Sequence, residues 1–307
     1  MKRSVRALCL AVLGIVVGGL LMGGNAVADD NNTGHYVNGV EGIKGASLPP
    51  PGLYWRIYNL YYTASELKDA DGNKIEAVDL DLSVFAFVNR LIWITDVQFL
   101  GGYVGMDALV PLVYTHVKVD PVMDSSKTAM GDPFVEPLTL SWHGGRYDAA
   151  FGLGAYFPAG NYDQDEPASP GKDFWTGMLT LGGTLYLDDA KSCSASALMR
   201  YEKHTKKSKV DVTLGDDIDL EWGIAKTLCK IWDVGAVGYC HWQVTDDSGD
   251  DVRWDKGVHD QAFAAGPEIS VFVPPATLFI SLRSEWEFDV KDRPQGNATT
   301  LTLTKIL

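Results

Sequence analysis

Between Phe279 and Phe288, Ile280, Leu282, Trp286 and Phe288 alternate with Ser281, Arg283, Glu285 and Glu287. The same rhythm runs through Ile218 to Ile224, where Ile218, Leu220, Trp222 and Ile224 alternate with Asp219, Glu221 and Gly223. A period of two places every large apolar side chain on one face of a strand and the charges on the other. A soluble sandwich turns such an apolar face inward, whereas a membrane barrel turns it toward lipid and leaves the charges in a wet interior. The rest of the chain has to decide between these two placements.

The beginning of the chain favours export. Lys2, Arg3 and Arg6 precede an apolar run from Ala7 to Met22, and Asn25-Ala26-Val27-Ala28 stands before Asp29-Asp30. A basic start, a short apolar stretch and an Ala-x-Ala end predict a signal peptide over 1–28. Cys9 falls within it. A membrane anchor is the competing reading, but Gly14, Gly18, Gly19, Gly23 and Gly24 interrupt the run. Beyond residue 28 no stretch is long and apolar enough for a spanning helix. Cleavage leaves 26 − 3 = 23 Lys and Arg against 40 Asp and Glu, a net charge of −17. That sign argues against nucleic acid as a partner, because phosphates are neutralised by the opposite charge.

Residues 29–52 are rich in Asn, Gly and Pro and end in Leu48-Pro49-Pro50-Pro51-Gly52, which reads as an irregular arm or short plug. From residue 53 to 307 the unit is an extended run rich in Tyr, Trp, Val, Leu and Thr, closed by a polar turn. Strands are predicted at about 53–64, 76–90, 101–119, 133–143, 147–158, 174–187, 193–202, 217–228, 232–244, 260–272, 278–288 and 298–307. Short turns such as His143–Arg146 and Lys230-Ile231 alternate with longer polar segments at 120–132, 159–173, 203–216 and 245–260. This rhythm belongs to outer-membrane barrels with tight periplasmic turns and longer outer loops. The expected fold is therefore all-β: a transmembrane antiparallel up-and-down β-barrel of about 12 strands, with 10–14 as the range. Twelve is even, as expected when both ends of the barrel chain lie on the periplasmic side. Pro111, Pro137 and Pro267 fall inside strands, where bulges would accommodate them. Leu91 to Gly105 does not alternate cleanly, so a hairpin more or less could lie there, and the first strand carries aromatics on both faces. Trp175, Trp222, Trp242 and Trp286 share the apolar parity of their strands near the ends, as interfacial girdles require.

Several segments resemble the meta-pathway phenol-degradation outer-membrane proteins. They are Glu41–Lys44 with Ser47–Tyr54, Gly131–His143, Gly152–Asp163, Gly235–Tyr239 and Arg293–Gly296. The resemblance runs from about residue 35 to the end. It implies an outer-membrane β-barrel linked to aromatic catabolism and concerned with uptake of such compounds. It transfers no catalytic or binding residue. Barrels of this kind usually end in an aromatic residue read by the barrel-assembly machinery, whereas this chain ends Lys305-Ile306-Leu307.

For enzymatic chemistry the sequence offers no Gly-x-Ser-x-Gly, His-Glu-x-x-His or phosphate-cradling glycine loop. His35, His116, His143, His204, His241 and His259 are scattered without ligand spacing, so neither a metal nor a cofactor is expected. The acidic Thr245–Asp251 segment lacks the full EF-hand pattern and reads as a solvated outer loop. With apolar side chains facing lipid, the candidate lumen set is Asp79, Asp81, Arg200, Glu202, Asp219, Glu221, Arg283, Glu285 and Glu287. These charges either brace the wall or form a polar constriction that selects by charge. Cys193 opens the seventh predicted strand and Cys229 closes the eighth, which suggests a disulfide across that hairpin, with Cys240 free. The expected function is an outer-membrane channel or uptake protein for small aromatic or apolar compounds, with membrane lipid and the permeant as partners. The competing reading is a non-conducting outer-membrane or periplasmic structural or binding β-protein. Heat-modifiable gel migration with outer-membrane fractionation separates them. A barrel migrates faster unboiled and sediments with outer membranes, and a soluble sandwich does neither.

Overall fold

The computed structural model describes residues 33–307; the predicted signal peptide lies outside the described residues. The strands are β1 Gly52–Leu67, β2 Asp79–Phe99, β3 Gly102–Asp120, β4 Met123–Met130, β5 Phe134–His143, β6 Tyr147–Tyr156 and β7 Thr176–Tyr186. They continue as β8 Cys193–His204, β9 Asp217–Leu228, β10 Trp232–Gln243, β11 Gln261–Val273, β12 Leu278–Lys291 and β13 Pro294–Ile306. Among the described residues no helix is long and apolar enough to cross a membrane. Among the described residues the one helical turn is the 3₁₀ turn Pro274–Ala276.

Every consecutive pair from β5 to β13 is antiparallel, β13 pairs with β1, β1 with β2, β2 with β3, and β3 with β5. Twelve strands therefore close a ring, which leaves no unpaired edge in the wall. The thirteenth, β4, is an addition that sequence reading placed in a loop. β5 pairs with Tyr103–Leu109 of β3, and β4 then takes over the same edge from Leu112 to Val119. Pro111 stands at the changeover. β2 continues past the uncertain stretch to Phe99 and turns through Leu100 and Gly101, both at positive φ (50° and 77°), so no additional hairpin is present. Pro137 sits at a bulge, between Val135 and Leu138 in the β5–β6 register.

The polarity of the wall is the reverse of that in a water-soluble protein. Leu53, Trp55, Leu91, Trp93, Leu112, Leu181, Ile224, Leu282, Trp286 and Phe288 are exposed. Thr180, Thr184, Arg200, Glu202, Asp219, Glu221, Glu268, Arg283 and Glu285 are buried. A soluble domain sorts these types the other way, and a surface of this kind is stable against lipid. Trp175 and Trp286 lie on the exposed outer face, while Trp222 and Trp242 are half-buried. Strand β1 is now oriented: Trp55 and Tyr61 face out, and Tyr54, Tyr58 and Leu60 face in.

Two expectations are corrected. Asp79 and Asp81 are exposed on the outer face, and their neighbours Leu80 and Leu82 point inward. The inward side chains close a small core with Ala64, Val78 and Val119, against which Tyr62, Ile75 and Met123 pack. This is the end of the barrel carrying the long loops. Here the outer face of β2 meets water instead of lipid, so the apolar parity turns inward. The predicted disulfide is also absent, since Cys193 and Cys229 are free thiols. Cys193 pairs across the ladder with Lys226, three residues short of Cys229. At about 3.3 Å per residue that offset separates the two Cα atoms by about 10 Å, beyond the reach of a disulfide. Cys229 instead sits at positive φ (51°) in the tight turn with Lys230. Protein purified without reductant and then unfolded is expected to take a thiol label at Cys193, Cys229 and Cys240. Labelling at a single one of the three would show that two are joined.

Candidate functional site

The lumen is occupied along its length by the segment preceding β1. Its outer end lies at the long loops. Lys172 of the β6–β7 loop donates to the Thr33 carbonyl at 2.8 Å and to the Gly34 carbonyl at 2.7 Å. His35 contacts Thr176 Oγ1 at 2.6 Å and Asp132 Oδ2 at 3.0 Å. The other end lies at the short turns, where Lys44 Nζ reaches Asp233 at 3.0 Å and Ser47 Oγ donates to Thr184 Oγ1 at 2.9 Å. Thr176 and Thr184 stand eight residues apart on β7, so the arm spans about 27 Å of the wall. Burial lowers the Lys172 ammonium to about 8, because its charged form gives up water.

An extended segment inside a pore cannot form its own ladder, so the wall must satisfy its backbone groups. The inward carboxylates and guanidinium groups do this. The Tyr36 amide donates to both Glu202 oxygens at 3.1 and 3.0 Å. The Glu41 amide donates to Glu221 Oε2 at 2.9 Å, and the Ile43 amide to Glu268 Oε2 at 2.9 Å. Arg283 Nε donates to the Gly39 carbonyl at 2.9 Å and another of its nitrogens to the Val40 carbonyl. Asn38 Nδ2 donates to Asp219 Oδ1 at 2.8 Å. Glycine serves two arm positions, through close approach at Gly42 and through its left-handed backbone at Gly39. A Cβ on Gly42 would stand 2.0 Å from Glu268 Oε2, and Gly39 adopts φ +78° against Glu285.

At mid-height Glu41 faces three guanidinium groups. Its carboxylate lies 3.2 Å from Arg56, 3.1 Å from Arg90 and 3.3 Å from Arg200. Arg90 is also held by Asp107 through two contacts of 2.8 Å. Arg200 stacks over the Tyr36 ring at 4.2 Å. Charge-assisted bonds of this kind are the strong ones, and their burial raises what each is worth.

Seven of the nine candidate lumen residues thus lie buried inside the wall: Arg200, Glu202, Asp219, Glu221, Arg283, Glu285 and Glu287. Most engage the arm. Glu287 instead accepts from Tyr62 and Tyr239 at 2.8 and 2.7 Å. Sequence reasoning missed Glu41, Arg56, Arg90, Asp107, Glu136 and Glu268. Arg56 and Arg90 sit in strands whose apolar residues fill both faces, which hides their parity. Glu41 opens the first of the resembling motifs.

Beside the arm a cavity of about 760 Å³ remains. Its wall is the inner face of β2 and β3, with Leu82, Val84, Ala86 and Val88 from one and Leu109, Pro111, Val113 and Val117 from the other. Tyr36, Val37 and Val40 of the arm form the opposite side. Arg90 and Glu41 contribute at mid-height, and the long-loop end adds Pro170 and Trp254 together with charged groups such as Lys172, Asp260 and Arg293. The lumen is therefore divided: charges bind the arm on one side, and aliphatic groups line open space on the other. The space is ligand-sized and mostly apolar, as small-molecule sites tend to be.

Substituting Glu41→Gln would leave three buried guanidinium groups facing a neutral amide. The expected cost is about 3–5 kcal/mol, read from the denaturant midpoint of the refolded protein in detergent. Asp81→Asn, on the exposed outer face, should stay within about 0.5 kcal/mol of the parent. Similar midpoints for the two variants would contradict this placement of the charges.

The fold has known counterparts. The crystal structure of an outer membrane channel from Pseudomonas putida F1 superposes with a TM-score of 0.74 at 12% identity, covering 85% of this chain and 97% of that one. The translocator domain of the autotransporter NalP from Neisseria meningitidis gives 0.51 at 10% identity, covering 86% and 91%. At these identities the likeness is one of fold, that of a closed antiparallel β-barrel. No match to a curated protein sequence is found. The family model described as "Putative MetA-pathway of phenol degradation" matches residues 64–303. With well over half of its length matched, this outer-membrane barrel belongs to that phenol-degradation family.

Proposed function

We propose that the protein admits small apolar compounds, aromatic ones among them, across the outer membrane through the cavity beside the arm. The observation that carries this reading is the aliphatic inner face of β2 and β3. An inward face of Leu, Val, Ala and Pro costs stability if it only meets water, and it gains by holding an apolar solute. The family's link to phenol degradation supports an aromatic solute. The arm acts as a plug: it fills the charged side of the lumen and leaves the apolar side as the path.

The non-conducting alternative draws on the same arm, whose bonds reach the wall from Thr176 to Thr184. Planar-bilayer recording distinguishes the two. A variant lacking residues 33–40, which keeps Glu41 against Arg56, Arg90 and Arg200, is expected to conduct more than the intact chain. In uptake, Val84→Asp with Val113→Asp places two carboxylates in the apolar path, where a charge is costly and holds water. Entry of a phenol-type solute into cells is expected to fall about tenfold or more, while heat-modifiable migration is retained. If the arm deletion leaves conductance unchanged and the aspartate variant takes up the solute normally, the channel reading fails.

A further inference from the structure

Four strand ends at the long-loop side bring ligating side chains together that the sequence scatters over sixty residues. Glu202 and His204 lie two apart on the inner face of β8, Asp217 opens β9 directly opposite Glu202, His241 is on β10, and Asp260 precedes β11. The potential ligand atoms of Glu202, His204 and Asp217 lie within 4.8 Å of one another, and so do those of Asp217, His241 and Asp260. All five residues are buried or nearly so. We infer that this cluster is a binding site for a divalent transition-metal ion of the zinc type, centred on Asp217.

The orientation of the two rings is the strongest support. His241 Nδ1 lies 2.6 Å from Asp219 Oδ1, and His204 Nδ1 lies 2.7 Å from Thr176 Oγ1. Each ring is therefore fixed through Nδ1, and its Nε2 faces the cluster. Metal-bound imidazoles are commonly held in this way, with a carboxylate or other oxygen on the far nitrogen. On the cluster side, His204 Nε2 is 3.1 Å from Asp217 Oδ2 and His241 Nε2 is 3.0 Å from Asp260 Oδ1. Two ligands each about 2.1 Å from one ion stand about 3.0–3.4 Å apart for angles between octahedral and tetrahedral. The two His–Asp spacings fall in that range, which a hydrogen-bonded pair also occupies.

Charge balance points the same way. Glu202, Asp217, Asp219 and Asp260 bring four carboxylates into this pocket. Two fixed cations stand against them. Arg293 reaches Asp260 at 3.1 Å, and the Lys172 ammonium bonds the arm's backbone and lies within electrostatic reach of Glu202 and Asp217, so carboxylates remain in excess. Buried carboxylates need a compensating cation. Imidazole nitrogen with carboxylate oxygen suits zinc, cobalt or nickel better than magnesium or calcium. The arm covers the Glu202–Asp217 side of the site, where a Cβ on Gly34 would stand 2.3 Å from Asp217 Oδ2 and 2.5 Å from Glu202 Oε2, while Asp260 borders the cavity. The competing account is that both imidazoles are protonated and simply pair with the acids, and the experiment separates the two.

Full-length protein purified in detergent is stripped with a chelator, loaded with Co(II), desalted and assayed by elemental analysis and visible absorption. About one equivalent or more should be retained, with ligand-field bands that Zn(II) abolishes. Asp217→Asn and His241→Ala should each weaken binding about tenfold or more. His116→Ala, which alters an exposed pair with Asp124, should bind as the parent does. Heat-modifiable migration reports whether each variant is folded. Zn(II) should also raise the unfolding temperature of the unsubstituted protein, a readout that needs no variant. Only traces of metal in the reloaded parent, or undiminished binding in folded Asp217→Asn and His241→Ala, would overturn the site.

Discussion

One carboxylate holds the interior together. Glu41 lies against Arg56, Arg90 and Arg200, which project from β1, β2 and β8. Without it three guanidinium groups would converge in a buried space, and mutual repulsion would work against closing the barrel. With it, the arm becomes part of the wall's charge balance. The neighbouring bonds from Glu202, Glu221, Glu268 and Arg283 to arm backbone groups follow from that placement. An irregular segment cannot stay buried unless its amides and carbonyls find partners.

The division of the lumen has a simple physical origin. β7 to β13 turn Thr, Ser, Asp, Glu and Arg inward, and these groups need polar partners, which the arm's backbone supplies. β2 and the upper part of β3 turn Leu, Val and Ala inward, and such groups offer the arm nothing to bond with. The arm accordingly rests on the polar half, and the space of about 760 Å³ is left on the apolar half. The cavity is thus a by-product of where hydrogen-bonding groups are found, and its position beside β2 and β3 can be traced to their composition.

Strands whose two faces differ strongly were legible in the sequence. β8, β9 and β12 carry charges on one parity and large apolar groups on the other, so Arg200, Glu221 and Arg283 could be placed inward without coordinates. The rhythm of short and long connections gave the ring of twelve. Legibility ended where the surroundings change along one strand. The outer face of β2 passes from lipid at Leu91 to water at Asp81, so a single parity rule places Asp79 and Asp81 on the wrong side. Strand β4 was invisible because Asp124, Ser125, Ser126 and Lys127 read as loop, yet the free upper edge of β3 supplies a partner. The histidines have no informative spacing because His204, His241 and the acids beside them meet only through cross-strand pairing.

The arm also alters the count of crossings. Twelve strands return a chain to the side from which it started, and Gly52 and Ile306 both lie at the short-turn end. Thr33, however, is bound by Lys172 among the long loops, so the segment from Thr33 to Gly52 adds a thirteenth passage inside the ring. Counted over the described residues, the number of passages becomes odd. Thr33 and Leu307 consequently lie at opposite ends of the barrel, although the wall that joins them has an even number of staves.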